Sequence, residues 1–173
     1  ETVEMSYVDH RVPHANLLGG DDGLGHGHGY ALSALELGRI NVAARSVGVA
    51  QAAFEAAMSY AQQRETFGKP IIEHQAIACE LADMHVTLQA MRALVWNVAW
   101  SVDHEPPDPK AVPGGMVFCT ENAFEIAHKA AELAGGMGVM KDMPFEKILR
   151  DAFCIKHLDG GNYLKRFKVA AAL

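Results

Sequence analysis

Two long apolar rows at helical spacing constrain this chain more than any other feature. Ile40, Ala43, Val47, Ala50, Phe54, Ala57 and Ala61 recur in steps of three and four, the period of one face of an α-helix. After a break at 64–71, a second row follows the same rule: Ile77, Leu81, Met84, Leu88, Met91, Val95, Val98 and Val102. The first row is mostly Ala and Val, so another helix can approach closely; the second carries larger side chains that complement it. Helices of about 30 residues span on the order of 45 Å. Four prolines between His104 and Pro113 end the second rod. A third row runs Val117, Thr120, Phe124, Ala127, Ala131 and Ala134, and a glycine turn stops it. Pro144 sits where a helix first turn begins, opening a short helix to about Lys156, and a last helical piece runs from near Gly161 to Leu173. These lengths and short links predict an all-α fold, an antiparallel four-helix bundle with an additional C-terminal helix. A short strand-like segment precedes it (Val3, Met5, Tyr7, Val8, Val12-Pro13), then a flexible loop over 19–29 with six glycines.

Composition narrows the function classes. The 173 residues suit one domain, and half of them are hydrophobic. With 15 Lys and Arg against 21 Asp and Glu the formal charge is −6, and no basic cluster offers a nucleic-acid surface. No run of 18 apolar residues exists, so no membrane span is expected. Glu1-Thr2-Val3-Glu4 lacks a basic-then-apolar signal pattern. Cys79, Cys119 and Cys154 are odd in number and scattered, reading as reduced thiols rather than a disulfide frame. His26 and His28 alternate with glycines and find no further ligands at useful spacing, so no metal site is expected.

The break between the first two rods is built like a binding loop. Arg64-Glu65-Thr66-Phe67-Gly68-Lys69-Pro70-Ile71 offers a guanidinium fork suited to phosphate oxygens and an aromatic ring able to lie against a flat ring system. Gly68 permits close approach and Pro70 stiffens the exit. Elsewhere, Gly135 and Gly136 read first as a helix C-cap and second as a turn with no side chains to obstruct a ligand. Glu36 and Arg39 read as an ion pair one helical turn apart. Asp159, followed by two glycines, reads as a capping aspartate or as an exposed carboxylate.

The segment resembles the Arg-x-x-Phe-Gly-x-x-Ile signature of the acyl-CoA dehydrogenase family, followed shortly by Gln75. Other pieces resemble the same family in order: Val12-Pro13…Asn16-Leu17-Leu18-Gly19, Leu35-Glu36-Leu37-Gly38-Arg39, Gly135-Gly136-Met137-Gly138, and Pro144-Phe145-Glu146…Arg150-Asp151. The resemblance implies that residues 1–18 close a preceding β-domain or form a linker. Residues 19–173 would then be the C-terminal helical bundle domain of a longer flavoprotein. It implies that Arg64, Phe67 and Gln75, with the Gly135-Gly136 turn, hold FAD belonging to a neighbouring subunit. Glu36 and Arg39 would lie beside the bound CoA thioester. Asp159 falls where many members carry a glutamate that removes the proton α to the thioester carbonyl, while the β-hydrogen leaves as hydride to the flavin. Other members keep that base at the position of Gly38.

The implied activity is α,β-desaturation of an acyl-CoA, with electron-transfer flavoprotein as acceptor, in a homodimer or homotetramer. The implied location is the bacterial cytoplasm or the mitochondrial matrix. Three departures stand out: Asp159 is one methylene shorter than the usual glutamate, Gly161 replaces a threonine that hydrogen-bonds the flavin, and Glu132 replaces a glutamine. Asn162 is a candidate to supply that hydrogen bond in place of residue 161. The departures also leave room for a non-catalytic helical subunit of the same fold, and an acyl-CoA oxidase would share the first half-reaction.

Overall fold

The computed structural model describes residues 3–106 and 108–173; Glu1 and Thr2 of the opening segment and Pro107 of the proline-rich link lie outside the described residues. Five α-helices follow in order: α1 (Gly27–Gln63), α2 (Gln75–His104), α3 (Ala111–Ala134), α4 (Phe145–Lys156) and α5 (Gly161–Ala171). Between α1 and α2 lies a hairpin of two short strands, β1 (Glu65–Thr66) and β2 (Lys69–Pro70). The chain divides into two compact units, one ending at Leu35 and one from Glu36 to Leu173.

In the first unit, 3-10 turns at His14–Asn16 and Gly20–Gly23 precede the opening turns of α1. His14 Nε2 meets Asp21 Oδ1 at 2.8 Å, and Gly23 packs so closely on the Leu18 carbonyl that a Cβ would stand 2.0 Å from it. The strand-like segment forms no strand: Val3, Met5, Tyr7, Val8 and Val12 are all exposed. An isolated extended segment has no ladder to receive its backbone groups, so alternation alone does not make it a strand.

In the second unit the predicted bundle is present, and side-chain contacts fix its directions. Phe54 packs on His85 (5.6 Å between centroids) and Arg92 donates to Gln51 Oε1 at 2.7 Å. The partner number rises as the α1 number falls, so α2 runs antiparallel to α1. Cys119 Sγ approaches the Met91 carbonyl at 3.8 Å and Gly115 abuts Val98, which reverses α3 against α2. One core joins the alanine row of α1 (Ala43, Ala50, Ala53, Ala57, Ala61), the large side chains of α2 (Leu81, Met84, Leu88, Met91), and α3 and α4. Each such α2 side chain contributes about 1.5–3 kcal/mol of burial. The third predicted row is half right. Thr120, Ala127 and Ala134 are buried, whereas Val117, Phe124 and Ala131 are half-buried, and Met116, Cys119, Ala123, Ile126 and Ala130 complete the buried face. Because α3 packs against α2, α4 and α5, its apolar face is wide, and periodicity cannot say which apolar row lies deepest.

Local chemistry accounts for the helix ends. Pro113 falls in the first turn of α3, where its missing N–H would have had no partner, and it is buried there. The α3 C-terminus is closed by Gly135 at φ +59°, ψ −133°, a conformation reserved for glycine. Gly138 allows the following turn to fold back, since a Cβ there would stand 2.1 Å from the Ala131 carbonyl oxygen. Among the described residues no helix is long and apolar enough to cross a membrane.

Candidate functional site: two constellations along helix α1

At the C-terminal end of α1 the chain leaves the helix at Arg64, whose N–H still bonds the Tyr60 carbonyl at 2.9 Å. Its own carbonyl accepts from Ile71 N–H at 2.8 Å, closing the hairpin. Register pairs Glu65 with Pro70 and Thr66 with Lys69, leaving Phe67 and Gly68 as a two-residue turn. Both have positive φ, +52° and +80°, as the hairpin turns that match strand twist require. For Phe67 this conformation is strained, on the order of 1–3 kcal/mol, and the ring is 97% exposed. The ring meets His74 edge-on, at 6.0 Å between centroids, and His74 Nε2 lies 3.1 Å from Thr66 Oγ1. Sequence alone suggests a loose aromatic in a loop; the structure instead presents the ring on a braced hairpin tip.

Beside this hairpin a cavity of about 600 Å³ is lined by Tyr60, Arg64, Thr66, His74, Gly135 and Gly136, among others. A Cβ at Gly135 or Gly136 would meet nothing within 4 Å, so the glycine backbone stands open toward the cavity. None of the ion pairs among the described residues involves Arg64, so its guanidinium is free for an anion. Of the predicted cofactor residues, Arg64, Gly135 and Gly136 share the cavity. Phe67 and Gln75 border it through His74 without lining it. Glu132 does not line it and pairs loosely with His128 at 3.7 Å along α3.

The second constellation lies far along α1. Gly38 and Arg64 are separated by 26 positions, on the order of 40 Å of helix rise. Here α4 gives way to a tight turn, Leu158–Gly160, and three successive residues have positive φ: Asp159 (+52°), Gly160 (+94°) and Gly161 (+64°). Asp159 is a non-glycine residue in the left-handed region, and the two glycines after it are required by the backbone path. That accounts for glycine in place of threonine at 161, because ψ 163° with φ +64° is accessible essentially only to glycine. The turn points the Asp159 carboxylate at α1, where Oδ2 would lie 3.6 Å from a Cβ built on Gly38. The carboxylate and Gly38 are thus neighbours, and the two positions at which the family resemblance places a base converge on one spot.

Charged side chains surround this carboxylate. Arg39 is 3% exposed; one guanidinium nitrogen donates to Glu36, and its Nε has no hydrogen-bond partner. Lys168 of α5 also donates to Glu36. Burial pushes the Glu36 carboxyl up, but the hydrogen bonds from Lys168 and Arg39 outweigh it and hold it below the ordinary carboxylate range. The expected pair is thus a three-member network, with Arg39 facing inward and Glu36 and Lys168 accessible. Lys165 is fully buried and donates to the Leu158 carbonyl at 2.8 Å. Its place among the charged residues of an amphipathic helix gives no sequence signal of that burial. Asn162 is not available for a ligand: its amide donates to Thr120 Oγ1 (3.0 Å) and Glu121 Oε1 (3.2 Å), fastening α5 to α3. Arg166 completes that clasp by donating to Glu121. Cys119, buried in the core, has its thiol pushed up to about 12 by desolvation and is inert.

Comparison with known proteins identifies the family to which this fold belongs. Residues 25–173 match the family model of the acyl-CoA dehydrogenase C-terminal domain. The chain is 37% identical over 172 residues to the mitochondrial short-chain specific acyl-CoA dehydrogenase of Bos taurus, covering 99% of this chain and 41% of that protein. It is 38% identical to the probable acyl-CoA dehydrogenase YngJ of Bacillus subtilis, covering 99% of this chain and 44% of that one. Among solved structures, butyryl-CoA dehydrogenase from Megasphaera elsdenii superposes with TM-score 0.79 at 31% identity, over 82% of this chain and 37% of its own. Nitroalkane oxidase superposes with TM-score 0.78 at 30% identity, over 84% and 35%. The chain spans less than half the length of the curated relatives it matches. With the family model covering all of α1 to α5, the chain belongs to the acyl-CoA dehydrogenase family, as its C-terminal helical domain.

Proposed function

We propose that this chain is the C-terminal part of an FAD-dependent acyl-CoA dehydrogenase, with Asp159 as the base that removes the α-proton of an acyl-CoA thioester. The observation that carries this is the strained left-handed turn holding the Asp159 carboxylate across from Gly38. Strain of this kind persists where surrounding structure enforces it and clusters at functional sites. The proton passes from the substrate Cα to the carboxylate, and the product is the α,β-unsaturated thioester. Bound flavin would supply the acceptor for the hydride that leaves Cβ. Glu36, accessible together with Lys168, would border the substrate, with Arg39 fixing it from behind.

The donor set at the other end of α1 fits a dinucleotide. Arg64 offers a fork for pyrophosphate, Gly135 and Gly136 offer open backbone, and Phe67 offers a ring face. One dinucleotide cannot serve both Arg64 and Asp159 of the same chain across some 40 Å of helix. We therefore assign Arg64, Phe67 and Gln75 to the FAD of a neighbouring subunit, which makes the protein a homo-oligomer. Residues 1–18 would close an upstream β-domain of the full-length protein. Electron-transfer flavoprotein fits as acceptor, and the mitochondrial and bacterial relatives fit a matrix or cytoplasmic location.

A second reading rests on the aspartate itself. Roles for an arginine and an aspartate seven positions apart have been analysed in the reaction of a nitroalkane oxidase that superposes at 32% identity with TM-score 0.75. Asp159 and Arg166 have the same spacing. Both readings make Asp159 a carbon-acid base. One experiment tests both: anaerobic flavin bleaching of the full-length protein by butyryl-CoA and by a short primary nitroalkane, for wild type and Asp159→Asn. General-base catalysis contributes about 10²–10⁴-fold, so the variant should bleach slower by that factor. Equal rates would remove Asp159 as base; the reactive substrate selects between the readings, and a colourless protein that takes up no FAD favours a non-catalytic subunit.

A further inference from the structure

We propose that Lys165 is a positioning residue for Asp159: it clamps the turn that carries the carboxylate. The inference rests on the reading of Asp159 as the base and names a residue that the reading does not require. Lysine is almost never fully buried unless paired, because desolvating an ammonium costs several kcal/mol. Yet Lys165 has no exposed surface at all. Nζ donates at 2.8 Å to the Leu158 carbonyl, the peptide group immediately before Asp159. No ion pair among the described residues includes Lys165.

The charges facing the turn come from two elements. From α1 come Arg39 and Glu36; from α5 come Lys165 and Lys168. Glu36 accepts from both Arg39 and Lys168, so its negative charge is shared between those two cations. Burial, and secondarily the Arg39 charge, hold the Lys165 ammonium below the ordinary lysine range, while attraction to Asp159 opposes them. The same nitrogen fixes one side of a segment with three consecutive positive φ values, and Asn162 fixes the other through Thr120 and Glu121. Gripped on both sides, the strained turn is held in a single conformation.

The test uses the full-length holoprotein and the limiting rate of flavin reduction by butyryl-CoA, with its half-saturating concentration, for wild type, Lys165→Met, Lys165→Arg and Asp159→Asn. Lys165→Met should lower the limiting rate, by on the order of 100-fold for a 1 Å displacement of the carboxylate, while the half-saturating concentration stays within about twofold of wild type. Lys165→Arg, which keeps a cationic donor, should recover part of that rate. Lys165→Gln takes the place of Lys165→Met if the latter does not fold. A neutral variant that reduces flavin at the wild-type limiting rate, or that loses rate only through weaker substrate binding, overturns the proposal. If Asp159→Asn reduces flavin at the wild-type rate, the base reading fails, and the positioning role goes with it. If Asp159→Asn abolishes reduction while Lys165→Met keeps the wild-type limiting rate, the base reading stands and only the role of Lys165 is lost.

Discussion

Replacing Gly161 with threonine restores the residue type expected from the family resemblance, and the structure says that it should harm this chain. The backbone there has φ +64° and ψ 163°, open to glycine and essentially closed to residues with a Cβ. Space is not the issue, because a Cβ at Gly161 would meet nothing within 4 Å. The cost is therefore conformational, on the order of 1–3 kcal/mol. For a domain of this size each kcal/mol moves Tm by about 2–4 °C, so Gly161→Thr should lower it by roughly 2–12 °C. Thermal unfolding followed by circular dichroism measures this directly. Gly48→Ala provides the opposing control: the site is exposed in the middle of α1 with nothing within 4 Å, and helix propensity should favour the variant by up to about 1 kcal/mol. A Gly161→Thr protein that melts with wild type, while the control shifts upward, would refute the left-handed turn and with it the explanation for the two glycines after Asp159.

Two further outcomes are expected. Gly138→Ala places a Cβ 2.1 Å from the backbone oxygen of Ala131, so it should cost at least about 1–3 kcal/mol in urea unfolding, whereas Gly136→Ala, with open space, should stay within about 0.5 kcal/mol. Acidification should release α5 first. Glu36 and Glu121 both tie α5 to the bundle, and both titrate below the ordinary carboxylate value of 4.5: burial raises each, and hydrogen bonds from Lys168 and Arg39, or from Arg166 and Asn162, lower them further. A depressed carboxylate contributes stability that is in place above pH 4.5 and is lost as pH falls through its folded-state value. As pH falls below 4.5, amide-exchange protection at Phe167 and Lys168 should be lost before that at Ala53 and Ala57; the reverse order would contradict the clasp.

The two long rods were legible because each has one buried face and a neighbour of complementary size. Ala50, Ala53 and Ala57 against Leu81, Met84 and Leu88 is a pattern that a 3.6-residue period reports directly. α3 was legible as a helix but not in its orientation, since Met116 and Val117 are equally apolar and only the tertiary neighbours decide between them. The hairpin was missed because its strands are two residues each and its turn uses Phe-Gly, without the asparagine or aspartate that marks such turns. At the candidate site, the identities of Arg64, Gly135 and Asp159 could be read in the sequence. The inward turn of Arg39 and the burial of Lys165 could not, because both lie on helices whose remaining charges face water. Their placement depends on how α1 and α5 meet, which no local pattern records.

Because α1 holds its two constellations on the order of 40 Å apart, injury to either one spoils a different centre of the proposed assembly. A chain lacking the Arg64 guanidinium would still bring a sound carboxylate to its own substrate pocket. A chain lacking the Asp159 carboxylate would still lend a sound grip next door. Co-assembled, two such defective copies would form one intact catalytic centre and one doubly broken one, so damaged alleles of this kind could partly rescue each other.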